Sequence, residues 1–400
     1  MLIVQKFGGS SVADAEKIER VANIIADTYN DGNDVVVVLS AQGDTTDDLV
    51  QKAREINPRA TNREMDMLLS VGEQISIALM SMQLQKMRIP AISLTGWQVG
   101  VETDSSYGMA RIRKVHTERM REELAKNKVV IVAGFQGINK SGDITTLGRG
   151  GSDTTAVAIA AVLRADKCQI YTDVEGVFTA DPRKVPNAKK LEEITYDEML
   201  ELSSLGAQVL HNRSVEMAKR FKVDLEVLSS YVRKPGTKVK EVVKNVEKMK
   251  IAGIAKDTNV ARVTVVGLTD EPGAAYKVFQ VMGKAKINVD VILQSMGREG
   301  TNDISFTVPQ KLGETALSEL AAYKDSIGFD HVSLDTTVAK VSIVGTGMMD
   351  SAGIASMMFE ALYETSINIQ MISTSEIKVS VLIDESRADD AVAAIHAKFF

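Results

Sequence analysis

A cation beside a bare glycine pair is the first chemistry legible in this chain, in Val4-Gln5-Lys6-Phe7-Gly8-Gly9-Ser10-Ser11-Val12. Leu2 to Phe7 is apolar enough for a buried strand. Ala13 to Tyr29 carries Ile18, Val21, Ala22 and Ile25 at the spacing of one helical face. The glycines therefore fall at a strand-to-helix turn, where backbone N–H groups can approach an anion and the next helix offers unpaired donors, with Ser10 and Ser11 as capping hydroxyls. A Gly-Gly turn alone often only reverses a chain. The full positive charge of Lys6 beside it points to phosphate.

A second glycine turn, Leu147-Gly148-Arg149-Gly150-Gly151-Ser152-Asp153-Thr154-Thr155, opens another helical run and offers an anion both a guanidinium and free amides. Ser152 or Asp153 can cap that helix. A second carboxylate next to an anion site is costly, so Asp153 is expected near a metal or the Lys6 ammonium. Glu73 is the third signal. Leu69, Ile77 and Met80 share its helical face between Glu64 and Met87, which puts its carboxylate on an apolar stripe where it needs a cationic partner. An internal lysine or arginine would serve, as would a ligand ammonium. Paired with Arg149, Glu73 makes a clamp for the two charged ends of an amino acid. Ser40-Ala41-Gln42-Gly43-Asp44-Thr45-Thr46-Asp47 adds hydroxyls that either cap a helix or meet substrate. The loop from Tyr171 to Arg183 either seats a nucleotide, with Arg183 near phosphates and Asp173 or Asp181 near ribose or metal, or is a polar surface turn.

These residues need elements to position them. Val35 to Leu39, Lys128 to Ala133, Gln169 to Thr172 and Leu225 to Leu228 read as short strands; Glu64 to Met87, Ser152 to Leu163 and Tyr196 to Leu210 read as helices. The alternation predicts an α/β domain with a mostly parallel sheet between helical layers, and Ser141-Gly142-Asp143 predicts one hairpin. Val232 to Lys250, with Lys-Pro-Gly and then mixed charges, marks a boundary. Beyond it the chain repeats itself. Val263 to Gly267 matches Val341 to Gly345, while Asp270, Gly273 and Ile287-Asn288-Val289 recur 80 residues later as Asp350, Gly353 and Ile367-Asn368-Ile369. Neither copy carries a paired acid and base, so they read as two small binding modules.

Bulk composition sets limits. Four hundred residues, 44% of them hydrophobic, allow two or three domains with large cores. A net charge of -6 with both signs interspersed gives no basic stripe for nucleic acid, and no apolar run is read as a membrane span. The single cysteine, Cys168, rules out an internal disulfide and reads as buried packing; with four scattered histidines there is no cluster at metal-ligand spacing. A cytoplasmic setting follows from that usage. Gly345-Thr346-Gly347 is not a dinucleotide fingerprint, because Asp350 replaces the third glycine, and the N-terminal turn lacks Walker spacing.

Together the segments resemble the aspartate kinases of the amino acid kinase family over essentially the whole chain. Lys6 to Ser11, the Glu73 helix, Gly148 to Asp153 and Thr172-Asp173 match in order, and the repeat is similar to the paired ACT domains. The resemblance implies a three-layer αβα, carbamate kinase-like catalytic domain over residues 1–245, then ferredoxin-like ACT domains over 250–330 and 331–400 that intertwine. It implies transfer of the ATP γ-phosphoryl group, with Mg²⁺ held mainly through ATP, to the side chain of L-aspartate. Lys6 and Asp153 would be catalytic; Ser40, Thr46, Glu73, Arg149 and Ser152 would hold aspartate. Lys6, Phe7, Gly8, Gly9, Ser10, Thr172, Asp173, Phe178, Asp181, Arg183 and Gln208 would hold ATP, Gln208 standing where many relatives have lysine. Lysine or threonine would bind the ACT domains, against Asp270, Gly273, Ala275, Asn288, Val289, Asp290 and Gln294 and, in the second copy, Ile354, Asn368, Ile369 and Ser375. A homodimer or larger assembly through these domains is expected, and a shorter regulatory subunit starting at Met249 is compatible with the sequence. Read on residues alone, an amino-acid sensor with an idle kinase half, or a kinase for glutamate or a nucleotide monophosphate, stays open.

Overall fold

The computed structural model describes residues 1–205, 209–243, 251–296, 300–348 and 351–400. Gln208, Met249 and Asp350 lie outside the described residues, and so does the sequence reading made on each. The chain divides into two compact units.

The first unit comprises 1–177, 190–203 and 208–244. Its eight-stranded sheet runs in the order Glu193–Thr195, Thr237–Lys240, Leu225–Ser229, Lys167–Thr172, Leu2–Phe7, Asp34–Leu39, Val129–Ala133, Ala91–Leu94. Pairing is parallel except between Leu225–Ser229 and Thr237–Lys240. Strands buried on both faces explain the unbroken valine runs. Val35, Val37, Leu39 and Ile131 pack under the helices Ala15–Asn30 and Val71–Lys86. The alternate residues face the other way, where Gly151–Leu163 lies against the strands Leu2–Phe7 and Asp34–Leu39. That is the expected three-layer arrangement. A small second sheet carries the expected hairpin, Gln136–Ile138 antiparallel to Ile144–Thr146.

Several elements differ from their sequence readings. The helix after the first glycine pair starts at Ala15, capped by Asp14, which accepts from the Lys17 amide at 2.9 Å; Gly9–Ser11 forms a 3₁₀ turn instead. Ser10 and Ser11 therefore cap nothing, because Asp14 satisfies the orphan donors first. Glu64 to Met87 is two helices, Asn62–Leu69 and Val71–Lys86, joined at Ser70. By length and apolarity that stretch would pass for a membrane span, contrary to the sequence reading, yet it buries Glu73, Met80 and Leu84 in the fold. Of the stretch Tyr196 to Leu210, Tyr196–Ser204 is a helix and 206–208 lie outside the described residues.

The second unit comprises 178–189, 204–207 and 245–400 and holds two four-stranded antiparallel sheets. One runs Asp290–Met296, Thr301–Pro309, Val260–Thr269, His331–Asp335; the other runs Gly253–Asp257, Val338–Val344, Lys378–Asp384, Met371–Ser375. The modules thus exchange strands: Gly253–Asp257 belongs to the later sheet and His331–Asp335 to the earlier one. This corrects the division at 330/331. Edge pairing is decided by which edge is open, and the edge beside Val260–Thr269 is taken by His331–Asp335. Phe178–Lys189, read as catalytic-domain sequence, is also part of this unit. Ala180 and Val185 join the later module's core, the Thr179 carbonyl accepts from Ile254 N at 2.8 Å, and Thr179 Oγ1 meets His396 Nε2 at 2.9 Å.

Candidate active site

Parallel strands deliver their C-terminal ends to one edge of the first unit's sheet, and in open α/β sheets that edge is where ligands bind. Lys6 lies level with Val38 and Ile170 near that edge. Ser40 and Gly134 directly follow two of those strand ends, and Thr172 is the last residue of a third. The sheet order alone brings together segments far apart in sequence.

Lys6 Nζ lies 2.6 Å from Asp153 Oδ1, and both side chains are 12% exposed. The contact is an ion pair without hydrogen-bond geometry. Neither Ser152 nor Asp153 caps the helix Gly151–Leu163, whose cap is Gly150 in the left-handed region at φ +72°. Only glycine fits there: a Cβ on Gly150 would also run into the His211 ring at 2.2 Å. His211 packs against this turn, and burial lowers its pKa.

Gly9 is pinned from outside its own loop. A Cβ there would lie 2.5 Å from the Ala41 carbonyl oxygen, and the Gly9 carbonyl accepts from Gly43 N at 3.0 Å. Ala41 N in turn donates to Glu73 Oε1 at 3.0 Å. Ala41, on which no sequence pattern drew attention, joins the lysine turn to the carboxylate. Glu73 is 3% exposed, and its Oε2 has no hydrogen-bond partner. Burial pushes its pKa up to about 7 against the opposing Ala41 hydrogen bond. Among the described residues no internal lysine or arginine pairs with it. Arg149 is exposed, on the turn leading into Gly151–Leu163, and makes no ion pair with a described residue.

The other expected contacts take mixed positions. Ser40 and Thr46 are half-buried; Thr46 sits in the first turn of Thr45–Ile56 without capping it. Phe7 stacks on Tyr171 at 4.5 Å, inside the core. Thr172 Oγ1 donates to Asp173 Oδ1 at 2.9 Å, and the Thr172 carbonyl accepts from Ser230 N at 2.9 Å. Phe178, Asp181 and Arg183 belong to the second unit, where Arg183 grips Asp181 with two contacts of 3.0 Å and lowers that carboxyl's pKa. Cys168 is fully buried, as read from the sequence, and burial pushes its thiol pKa up. Arg213, missed in the sequence, donates to the carbonyls of Leu147 and Ala110 at 2.9 and 2.8 Å and braces the Arg149 turn.

In the second unit a pocket of about 210 Å³ is lined by Asp270, Gly273, Ala275, Gln294, Asn302 and Ile304. Four of the seven residues expected for the first module are thus gathered. Asn288, Val289 and Asp290 are not among its lining residues; Asp290 instead pairs with the buried Lys340 of the neighbouring sheet. Asn302, missed in the sequence, donates to Asp270 Oδ1 at 2.7 Å. Of the second copy's residues, Ile354 is buried in the module core, Ile369 is half-buried, and Asn368 and Ser375 are exposed.

The model for the amino acid kinase family matches residues 1–229, and an ACT domain model matches 263–322 and 341–399. An aspartokinase from Mycolicibacterium smegmatis is 51% identical over 403 residues, spanning 100% of this chain and 96% of that protein. Among solved structures, Escherichia coli aspartokinase III in complex with aspartate and ADP (R-state) aligns with a TM-score of 0.84 at 27% identity over 100% of both chains. The same enzyme with lysine and aspartate (T-state) aligns at 0.78 and 26%, over 100% of this chain and 99% of that one. With the kinase-family model over residues 1–229, ACT matches over both modules and a half-identical aspartokinase spanning the whole chain, the chain belongs to the amino acid kinase family, within its aspartokinase branch.

Proposed function

We infer that this chain transfers the γ-phosphoryl group of ATP to the β-carboxylate of L-aspartate, giving 4-phospho-L-aspartate and ADP. The observation that carries the choice of acceptor is Glu73, a buried carboxylate with one oxygen unpartnered and no cation among the described residues to neutralise it. An α-ammonium supplies the missing charge, and Arg149 answers the α-carboxylate, with Ser40, Thr46 and Ser152 alongside. The reacting carboxylate is ionised at neutral pH, so the reaction needs no general base. Its obstacle is repulsion between two anions. Lys6, held by Asp153, and the amides of the Gly8-Gly9-Ser10 and Gly148–Ser152 turns place positive potential where charge accumulates on the transferring group. Thr172 and Asp173, at the end of the strand beside that of Lys6, complete the ATP contacts in this reading.

Mg²⁺ keeps its waters and binds through substrate phosphates, so with ATP it would neutralise phosphate charge. In the second unit, Asp270 and the Gly273 turn offer an acid and backbone donors to an amino-acid effector, lysine foremost and threonine next. Effector binding there would lower activity by favouring one of two conformations. The reading includes a cytoplasmic setting and a homo-oligomer formed through the ACT modules. Titrating ADP release with ATP in the presence and absence of L-aspartate tests it, with lysine and threonine added singly and together. ADP release independent of aspartate would sink the acceptor assignment, and rates indifferent to both effectors would sink the regulatory one.

A further inference from the structure

Asp66 is fully buried on the helix Asn62–Leu69, and no role above uses it. Its oxygens accept from Gly108 N at 3.0 and 2.9 Å, from Thr146 N at 2.9 Å and from Thr146 Oγ1 at 2.6 Å. Among the described residues it has no cationic partner. Burying a lone carboxylate is costly unless such donors offset the lost hydration, so this cluster tolerates little displacement.

Both ends of the cluster lead to the acceptor clamp. Asp66 precedes Glu73 by seven residues, close to two helical turns, so the two carboxylates leave the same face. Ser70 between the two helices keeps helical dihedrals (φ -60°, ψ -17°), which preserves that phase, and its carbonyl accepts from the buried Gln136 Nε2 at 2.8 Å. Thr146 ends its strand three residues before Arg149. Gly108 supports the same turn from below, since a Cβ on Gly148 would meet the Gly108 carbonyl oxygen at 3.0 Å. Asp66 thus grips two supports of the Arg149 turn from the helix that leads to Glu73.

We propose that Asp66 is a positioning residue that sets the separation between the Glu73 carboxylate and the Arg149 guanidinium, so that the site selects its acceptor by the spacing of ammonium and α-carboxylate. The proposal rests on the clamp reading given above. Asp66 touches no substrate in it.

The test uses ligands with one end or two. Succinate lacks the ammonium and 3-aminopropanoate lacks the α-carboxylate, so as competitive inhibitors each engages one half of the clamp. For Asp66→Asn the KM for L-aspartate should rise about tenfold to a hundredfold, the scale of a small misplacement. The KM for ATP and both inhibition constants should stay within about twofold. Thr146→Val should show the same pattern more weakly, and Thr146→Ser should restore wild-type values. A folded Asp66→Asn with wild-type aspartate KM would overturn the proposal; so would an equal loss for aspartate, both single-ended ligands and ATP, the mark of general disruption. If Asp66→Asn does not fold, Thr146→Val decides by the same criteria. Glu73→Gln and Arg149→Ala serve as controls: unchanged aspartate KM in both refutes the clamp itself, whereas a rise in both with no effect of Asp66→Asn or Thr146→Val refutes only the role of Asp66.

Discussion

Lys6 and Asp153 meet at 2.6 Å, one at the end of the central strand and the other in the first turn of the helix that packs on it. The pair ties the strand that leads into one glycine turn to the helix that leaves the other. With both side chains 12% exposed, each charge depends on the other for much of its compensation.

Removing the lysine should therefore do two separable things. Lys6→Ala should cut kcat by about a hundredfold to a thousandfold or more, the range for loss of a preorganised transition-state contact. It should also lower the melting temperature, because Asp153 is left buried and unpaired. Lys6→Met combined with Asp153→Asn should recover the melting temperature but not the activity. Scanning calorimetry and coupled ADP assays on the same samples check both parts, and a folded Lys6→Ala with near-normal turnover refutes the assignment.

The buried position of Glu73 sets a pH dependence with a defined sign. Its pKa is raised to about 7 from the ordinary 4.5, so between those values the native ligand-free protein holds a proton that the unfolded chain has released. Ligand-free stability should fall as pH rises through this window, and Glu73→Gln should flatten that slope. Aspartate binding requires the ionised form, so its KM should climb below pH 7, approaching tenfold per unit, and lose that slope in Glu73→Gln. Urea unfolding and initial-rate kinetics from pH 5 to 8 measure the two trends. An aspartate KM flat across that range would remove Glu73 from the ammonium site.

Gly9→Ala adds one carbon 2.5 Å from the Ala41 carbonyl oxygen. Backbone must move, at a cost of about 1 to 3 kcal/mol for such overpacking. The KM for ATP should rise, and aspartate affinity should weaken with it because Ala41 also holds Glu73. Gly32→Ala is no control, since Gly32 needs a positive φ; Ser10→Ala is the milder comparison. Wild-type affinities for both substrates in Gly9→Ala would show that Ala41 does not couple the two sites.

Asp290 and Lys340 tie the two regulatory sheets together. The lysine side chain is 8% exposed and the aspartate 53%. Burial raises the Asp290 pKa, but Lys340, the Val291 amide and Lys378 together outweigh it and the net shift is downward. Its stabilising effect is present above the unfolded carboxyl's pKa and is lost as pH falls through the lowered one. Asp290→Asn should destabilise the second unit by about 1 to 3 kcal/mol at neutral pH, reduced from the fully buried case by the aspartate's exposure. Lys340→Met should be close to neutral, since an apolar chain of that length can pack beside its buried strand partner Leu382 and Val338 two residues away. Equal losses in both variants, followed by hydrogen exchange, would contradict this asymmetry.

Local sequence accounts for the strands, most helices and the strongest site residues. Valine runs mark strands covered on both faces, and the apolar stripe around Glu73 announces a buried charge before any coordinates exist. The repeat offset of 80 residues reveals two modules. Helix ends were less legible, because Asp14 competes with Ser10 and Ser11 for the same orphan amides and only local geometry decides the winner.

What the tertiary structure alone decided are relationships between segments far apart in the chain. Periodicity could show that Asp153 is either a cap or a charge partner; the meeting of its helix with the strand of Lys6 selected the partner. Ala41, Asp66 and Arg213 act largely through backbone amides and carbonyls, which every residue possesses and no sequence pattern distinguishes, and Asn302 meets the Asp270 side chain only because the fold brings their two strands together. The exchange of Gly253–Asp257 and His331–Asp335 between modules depends on which sheet edge lies open, a property of assembled sheets. Side-chain type and spacing thus establish what chemistry the chain contains, while the packing of sheet edges and loop backbones determines which of those groups come into contact.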